Sequence, residues 1–229
     1  MAIYSISDLH LSFGVNKPMD VFRGWENYTE LLKENWLETV CDEDTVVMPG
    51  DFSWGLKTQE TLKDFQFLNS LPGKKILIKG NHDFWWTTVK KNEEFLKNNG
   101  IENVFFLQNG HYEVEGLAIC GARGWFLEDA DNFSQKISDR EVIRLRFSLE
   151  SAEKAGLKEK IVFLHFPPVY KDKSCDNLIE LMKEYGVKEC YYGHIHGGSS
   201  YGAFNGIYEN IEIKMVSADY LRFSPLKIR

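Results

Sequence analysis

The chain contains no apolar run approaching the about 20 residues that a bilayer-spanning helix needs. No basic stretch, apolar stretch and cleavage site precede the first strand candidate, at 2–7, so a secretory leader is not expected. There is no C-x-x-C pair. Cys41, Cys120, Cys175 and Cys190 are scattered, and three of them sit in or beside apolar runs, where a thiol packs as a small hydrophobe. This usage predicts a reducing, cytoplasmic setting, although spacing alone leaves disulfides open. Positive charge is not in excess either: 27 Lys and Arg stand against 34 Asp and Glu, a net charge of −7. That balance, with no basic stripe, argues against a general nucleic-acid surface. It is compatible with an anionic substrate at one locally positive site, such as bound metal creates. No internal repeat, low-complexity tract or linker interrupts the 229 residues, which predicts one α/β domain over residues 1–229.

Strand-like runs are present, and each ends in polar residues. Ala2–Ser7 leads into Asp8-Leu9-His10, Asp44–Pro49 into Gly50-Asp51, and Lys75–Lys79 into Gly80-Asn81-His82-Asp83. Lys160–Leu164 leads into His165, and Val187–Tyr192 into Gly193-His194-Ile195-His196. Helical spacing of apolar residues predicts helices over about 27–40 (Tyr28, Leu31, Leu32, Trp36, Val40 inward), 58–70, 87–98, 138–155 and 175–185. Strands alternating with helices are the pattern of parallel βαβ units. Between 103 and 120 the texture changes to short strands, with Asn109-Gly110 and Glu115-Gly116 predicted as hairpin turns. The final stretch, 207–216, alternates well enough for one or two strands.

Five of the six histidines fall in the polar clusters, and only His111, in a predicted hairpin, does not. In open α/β sheets the carboxyl ends of strands are where ligands bind. Unrelated histidines have no reason to gather there together. Mixed nitrogen and oxygen donors without thiolate point to divalent transition metals such as Mn, Fe, Zn or Ni. There are more donors than one ion needs, and two ions roughly 3.5–4 Å apart, clamping a phosphoryl group, would use them all. Two such ions against Asp8 and Asp51 leave a local charge of about +2, which suits an anionic phosphate.

These five clusters, in this order and spanning Asp8 to His196, resemble the signature blocks of the calcineurin-like metallophosphoesterases. The resemblance implies a four-layer αββα sandwich of two mixed sheets flanked by helices, with two divalent metal ions at the strand ends. It implies that Asp8, His10 and His196 bind one ion, that Asn81, His165 and His194 bind the other, and that Asp51 bridges them. It also implies that His82 is the catalytic acid or charge stabiliser beside the phosphate, with Asp83 orienting its imidazole. A metal-activated hydroxide would then attack phosphorus in line. One departure stands out: many relatives carry a further charged residue three positions after Gly50-Asp51, where this chain has Trp54.

The substrate is less legible. Arg123 could clamp a phosphate oxygen bidentately or serve as a surface or structural arginine, and Asn81 and His82 would also meet the phosphate. Trp54, Trp85, Trp86 and Trp125 could stack on a base or simply pack. The expected activity is hydrolysis of a phosphodiester or phosphomonoester of a small or nucleotide-like molecule, with no membrane partner. Two alternatives stay open. A nuclease of the same chemistry is disfavoured by the net charge, and a catalytically silent scaffold is disfavoured by the complete set of ligand types.

Overall fold

Strand side chains alternate between two faces, and in this chain both faces are apolar. Along Thr45–Pro49 (β2), Val46 and Met48 enter one core cluster and Val47 another. Lys74–Ile78 (β3) divides in the same way, Leu77 from Ile76 and Ile78, and Ile3–Ser5 (β1) divides Tyr4 from Ile3. Runs buried on both faces belong to sheets covered on both sides.

The computed structural model describes residues 1–125 and 132–229. Val104–Phe106 (β4) and the C-terminal Leu226–Lys227 complete a first sheet around β1, β2 and β3. After β4 come His111–Val114 (β5), Leu117–Ala122 (β6), Glu159–Leu164 (β7), and a small hairpin of Val169–Tyr170 (β8) and Lys173–Ser174 (β9). Glu189–Tyr192 (β10), Gly206–Tyr208 (β11) and Ile211–Met215 (β12) follow, which makes Leu226–Lys227 β13. The first sheet has the order β13-β1-β2-β3-β4 and the second β11-β12-β10-β7-β6-β5. Inner strands are parallel, while β13, β11 and β5 are antiparallel edges.

Helices Tyr28–Thr39 (α1), Leu62–Asn69 (α2) and Val89–Asn98 (α3) cover the first sheet's outer face through Leu32, Trp36, Phe65, Leu68 and Leu96. Asn132–Lys154 (α4) and Asp176–Glu184 (α5) cover the second through Leu145, Leu149, Leu178 and Met182. Ile3, Val47, Ile76, Ile119, Ile161 and Phe163 fill the space between the sheets. The layers therefore run helix, sheet, sheet, helix, as expected. No helix among the described residues is long and apolar enough to cross a membrane.

Three local expectations need correction. Leu31 points outward at 39% exposure, so the buried stripe of α1 is Tyr28, Leu32 and Trp36. The helix expected over 58–70 opens with a 3₁₀ turn, Thr58–Thr61, before α2. Asn109-Gly110 closes no hairpin: β4 pairs with β3 in the first sheet and β5 with β6 in the second, so this turn carries the chain between sheets. Glu115-Gly116 does close a hairpin, and both residues have the positive φ (51° and 82°) of a tight two-residue turn. All four cysteines are free, and only Cys41 is exposed.

The two sheets meet at their carboxyl ends. Past β1, the Ser7 N–H donates to the Val216 carbonyl at 2.9 Å and the Ala218 N–H to the Ser7 carbonyl at 2.9 Å. This bridge between the ends of β1 and β12 brings the polar strand ends of both sheets to one place.

Candidate metal centre

Three of the polar clusters leave their strands through a left-handed turn. Asp8, His10, Asp51 and His194 have φ of 61°, 48°, 52° and 72°, a left-handed conformation that costs a non-glycine residue roughly 1–3 kcal/mol. Strain in four residues at three strand ends, those of β1, β2 and β10, persists only where the surroundings over-determine it. Gly50, with φ 97°, leaves no room for a side chain: a Cβ would come within 2.5 Å of His165 Nδ1. Gly80 has no such backbone requirement. It is needed because the Asp51 carboxylate and N–H lie directly against its Cα, where a Cβ would collide with them.

The side chains converge as two groups, Asp8/His10/His196 and Asp51/His165/His194, with the ligand atoms of each group within 4.8 Å of one another. In the first, His196 Nε2 lies 3.2 Å from His10 Nε2 and 3.3 Å from Asp8 Oδ1. In the second, Asn81 Oδ1 lies 2.6 Å from His165 Nε2 and 2.9 Å from His194 Nδ1. Asp51 stands between them, its Oδ2 3.4 Å from His165 Nε2 and 3.9 Å from His10 Nε2. The other Asp51 oxygen accepts the His82 backbone N–H at 2.8 Å. Asp8 is anchored by the His194 N–H (2.9 Å) and by the hydroxyls of Ser7 and Ser217.

Protonation tests whether these residues suit cations. His165 Nδ1 lies 3.0 Å from the Pro49 carbonyl oxygen, which only accepts, so Nδ1 carries the proton. Burial holds this ring neutral, lowering its pKa to about 3. Its Nε2 is therefore a lone pair, aimed at the Asn81 amide and the Asp51 carboxylate. Reversing the amide would satisfy the two rings, but Asp51 Oδ2 would still face that lone pair in a place 1% exposed. Burial likewise lowers His194 to about 4 and His10 well below its usual range. Burial, reinforced by Asp8 and Asp83, pushes the Asp51 carboxyl well up. Burial works against Asp8 ionising too, but His196, His165 and His10 outweigh it and hold this carboxyl low. His196 differs from the other rings: burial opposes its charge, yet Asp8 and Asp219 outweigh burial and raise its pKa to about 10. A buried set of acceptors short of positive charge fits divalent cations.

The structure places His82 beside these groups, its ring 5.7 Å from that of His10. Asp83 does not meet that imidazole, contrary to the expectation that it orients His82. Its Oδ2 accepts the N–H groups of Gly80 (2.8 Å) and Asp51 (3.0 Å). Its Oδ1 accepts those of Phe52 (3.0 Å) and Ser53 (3.4 Å) and the Trp85 indole (3.1 Å). Asp83 thus clamps the turn that carries Asp51 onto the turn that carries Asn81. Its side chain points to the backbone, a geometry that a four-residue motif does not reveal.

The tryptophans divide. Trp85 and Trp86 are core residues. Trp54 stacks on His10 (centroids 4.7 Å, planes 21° apart) and lies 4.6 Å from His82. Trp25 flanks His10 and His196 at 6.0 and 5.9 Å. Together with Met19, Phe22 and Tyr201 they line an open cleft of ≈ 670 Å³ beside His10, His82 and His196. Arg123 is elsewhere: it pairs with buried Glu141 at 3.3 Å, lies against the Trp125 ring, and lines a different cavity. His111 lies 2.9 Å from the Ser151 hydroxyl, away from the centre. Sequence reasoning missed Asp219, whose Oδ1 lies 3.3 Å from His196 Nδ1 and so fixes which ring nitrogen faces inward. The available signal was its place just past β12, in a polar strand end like the others.

No curated protein matches the sequence significantly. Among solved structures, the phosphopantetheinyl hydrolase PptH of Mycobacterium tuberculosis is similar at 16% identity and TM-score 0.55, over 99% of this chain and 95% of that one. The protein TT1561 of Thermus thermophilus is similar at 16% identity and TM-score 0.50, over 85% and 81%. At such identities the likeness shows the fold alone. The family model for calcineurin-like phosphoesterases matches residues 1–198, a span that contains every residue of both candidate ligand groups, and the chain belongs to that family.

Proposed function

We propose that this metal-dependent phosphoesterase is a two-metal enzyme that hydrolyses a phosphomonoester or phosphodiester of a small molecule. The observation that carries this reading is the Asp51 carboxylate, with one oxygen set between His10 Nε2 and His165 Nε2 and no hydrogen-bond donor on it among the described residues. Asp8, His10 and His196 would hold one cation, and Asn81, His165 and His194 the other, with Asp51 shared. When bound, two such ions supply activation of water at neutral pH and neutralisation of charge on the phosphoryl group.

The chain's own residues do the rest. His82 lines the cleft, and burial lowers its pKa, so it serves as a neutral imidazole whose N–H donates to a phosphate or leaving oxygen. Its backbone N–H holds Asp51, so the donor and the shared ligand are positioned as one unit. Trp54 and Trp25 shield His10 and offer aromatic surface to the part of the substrate that is not phosphate. The cleft has the size of a small-molecule site. Arg23 is the one lysine or arginine among its lining residues, which suits a small ester better than a nucleic-acid strand.

A metal-reconstituted assay comparing chromogenic phosphate diesters and monoesters tests the reading. Wild type should turn over at least one class, and His82→Ala and Asp51→Asn should not match it. Turnover that no metal raises above these variants would refute it.

A further inference from the structure

A second cavity lies behind the strand ends, between the tips of β3 and β6 and helix α4. It is ≈ 240 Å³ and shares no lining residue with the aromatic cleft. Among the described residues, its walls bring together Lys79, Arg123, Arg140 and Arg144 against a single carboxylate, Glu141. Glu141 is wholly buried, and its Oε1 takes both Arg144 (2.6 Å) and Arg123 (3.3 Å). Arg140 has no carboxylate partner among the described residues, and Lys79 reaches only the Trp86 carbonyl, at 3.3 Å. So the described residues leave positive charge over, in a place too small for a polymer.

The polar atoms of this wall are also incomplete. Arg123 Nε and Trp86 Nε1 are buried donors without an acceptor, and Glu141 Oε2 is a buried acceptor without a donor. Three unsatisfied polar atoms on residues that line one cavity point to a partner that would complete them. The missing partner is anionic, offers several acceptor oxygens, and carries at least one O–H. Arginine forks match tetrahedral oxyanions bidentately. Inorganic phosphate meets all of these conditions at neutral pH because it retains a P–OH, whereas sulfate and carboxylates carry no proton to give to Glu141.

We propose that this cavity is a binding site for inorganic phosphate, separate from the candidate metal centre. Its position links it to that centre. Lys79 directly precedes Gly80-Asn81, and the Arg123 carbonyl accepts the N–H groups of His165 (3.0 Å) and Phe166 (2.8 Å). Phosphate held here ties together the turns that carry Asn81 and His165.

Isothermal titration of inorganic phosphate into the metal-loaded protein, and into the same protein after chelation, tests the site. Wild type should show a binding class that survives chelation, with sulfate and acetate about tenfold weaker or worse. Arg140→Glu and Asn109→Asp change exposed lining residues outside the metal centre. Each should weaken that class, Arg140→Glu by about tenfold or more, while ester turnover measured without added phosphate is retained. Phosphate binding that disappears entirely on chelation, that is unchanged in both variants, or that sulfate equals would overturn the assignment. Failure of the esterase reading would show separately, as absent turnover with this binding intact.

Discussion

Asp83→Asn separates two accounts of the residue that follows His82. If Asp83 clamps the Asp51 turn, the variant loses structure and metal. If it orients the imidazole, the variant loses rate alone. The carboxylate accepts five N–H groups at 2.8–3.4 Å, two on Oδ2 and three on Oδ1. An asparagine keeps one acceptor oxygen and turns an NH₂ against the donors on the other side. Keeping the three contacts of Oδ1 sacrifices those of Asp51 and Gly80, worth roughly 1.5–3 kcal/mol each as bonds to a charged group. Burial already pushes the Asp83 carboxyl up, so neutralising it recovers part of that loss. The expected net destabilisation is roughly 2–4 kcal/mol. Denaturant unfolding measures this term, and equilibrium metal titration measures the second, which should weaken because Asp51 and Asn81 sit on the freed turns. A variant within about 1 kcal/mol of wild type that binds metal normally but hydrolyses slowly would refute the clamp and restore the orienting role.

Other outcomes follow from the same geometry. His82→Ala should leave metal content unchanged and lower kcat by about 10²–10⁴, the range for a lost proton donor; metal analysis beside steady-state kinetics checks both halves. Trp54→Ala removes the ring stacked on His10, and KM for an aryl ester should rise about 2–10-fold with metal stoichiometry intact. Lys75 is fully buried, its ammonium held by the Leu71 carbonyl, and burial lowers its pKa from 10.5 to about 7. The unfolded chain therefore binds more protons between pH 7 and 10.5, so stability should rise with pH across that window. Lys75→Met should flatten the rise and increase Tm at pH 7; parallel wild-type and variant curves would contradict the burial argument.

Much of the architecture is written locally. Alternation of apolar residues in runs such as Val46-Val47-Met48 and Ile76-Leu77-Ile78 already implies strands buried on both faces, because period two leaves no polar side. Polar clusters closing those runs imply a site at the carboxyl edge, and histidines at strand ends imply metal chemistry. These features depend on residues adjacent in sequence, whose geometry the backbone period dictates. Other features depend on which surfaces meet. Asn109-Gly110 has the chemistry of a hairpin turn, yet β4 finds its partner in one sheet and β5 in the other. Gly80 is required by the Asp51 carboxylate and N–H lying against it, not by its own backbone conformation. Asp219 reaches His196 across 23 residues, Trp54 finds His10 across 44, and Arg123, which the sequence left open as a phosphate clamp or a structural arginine, turns to Glu141 in another cavity. Side chains at strand ends have several neighbours within reach, and local preference cannot choose among them. The choice is made by the packing of two sheets whose carboxyl ends are joined at Ser7 and Ala218. The residue types and their order thus pointed to the family, while the tertiary structure decided which atoms each of those residues faces.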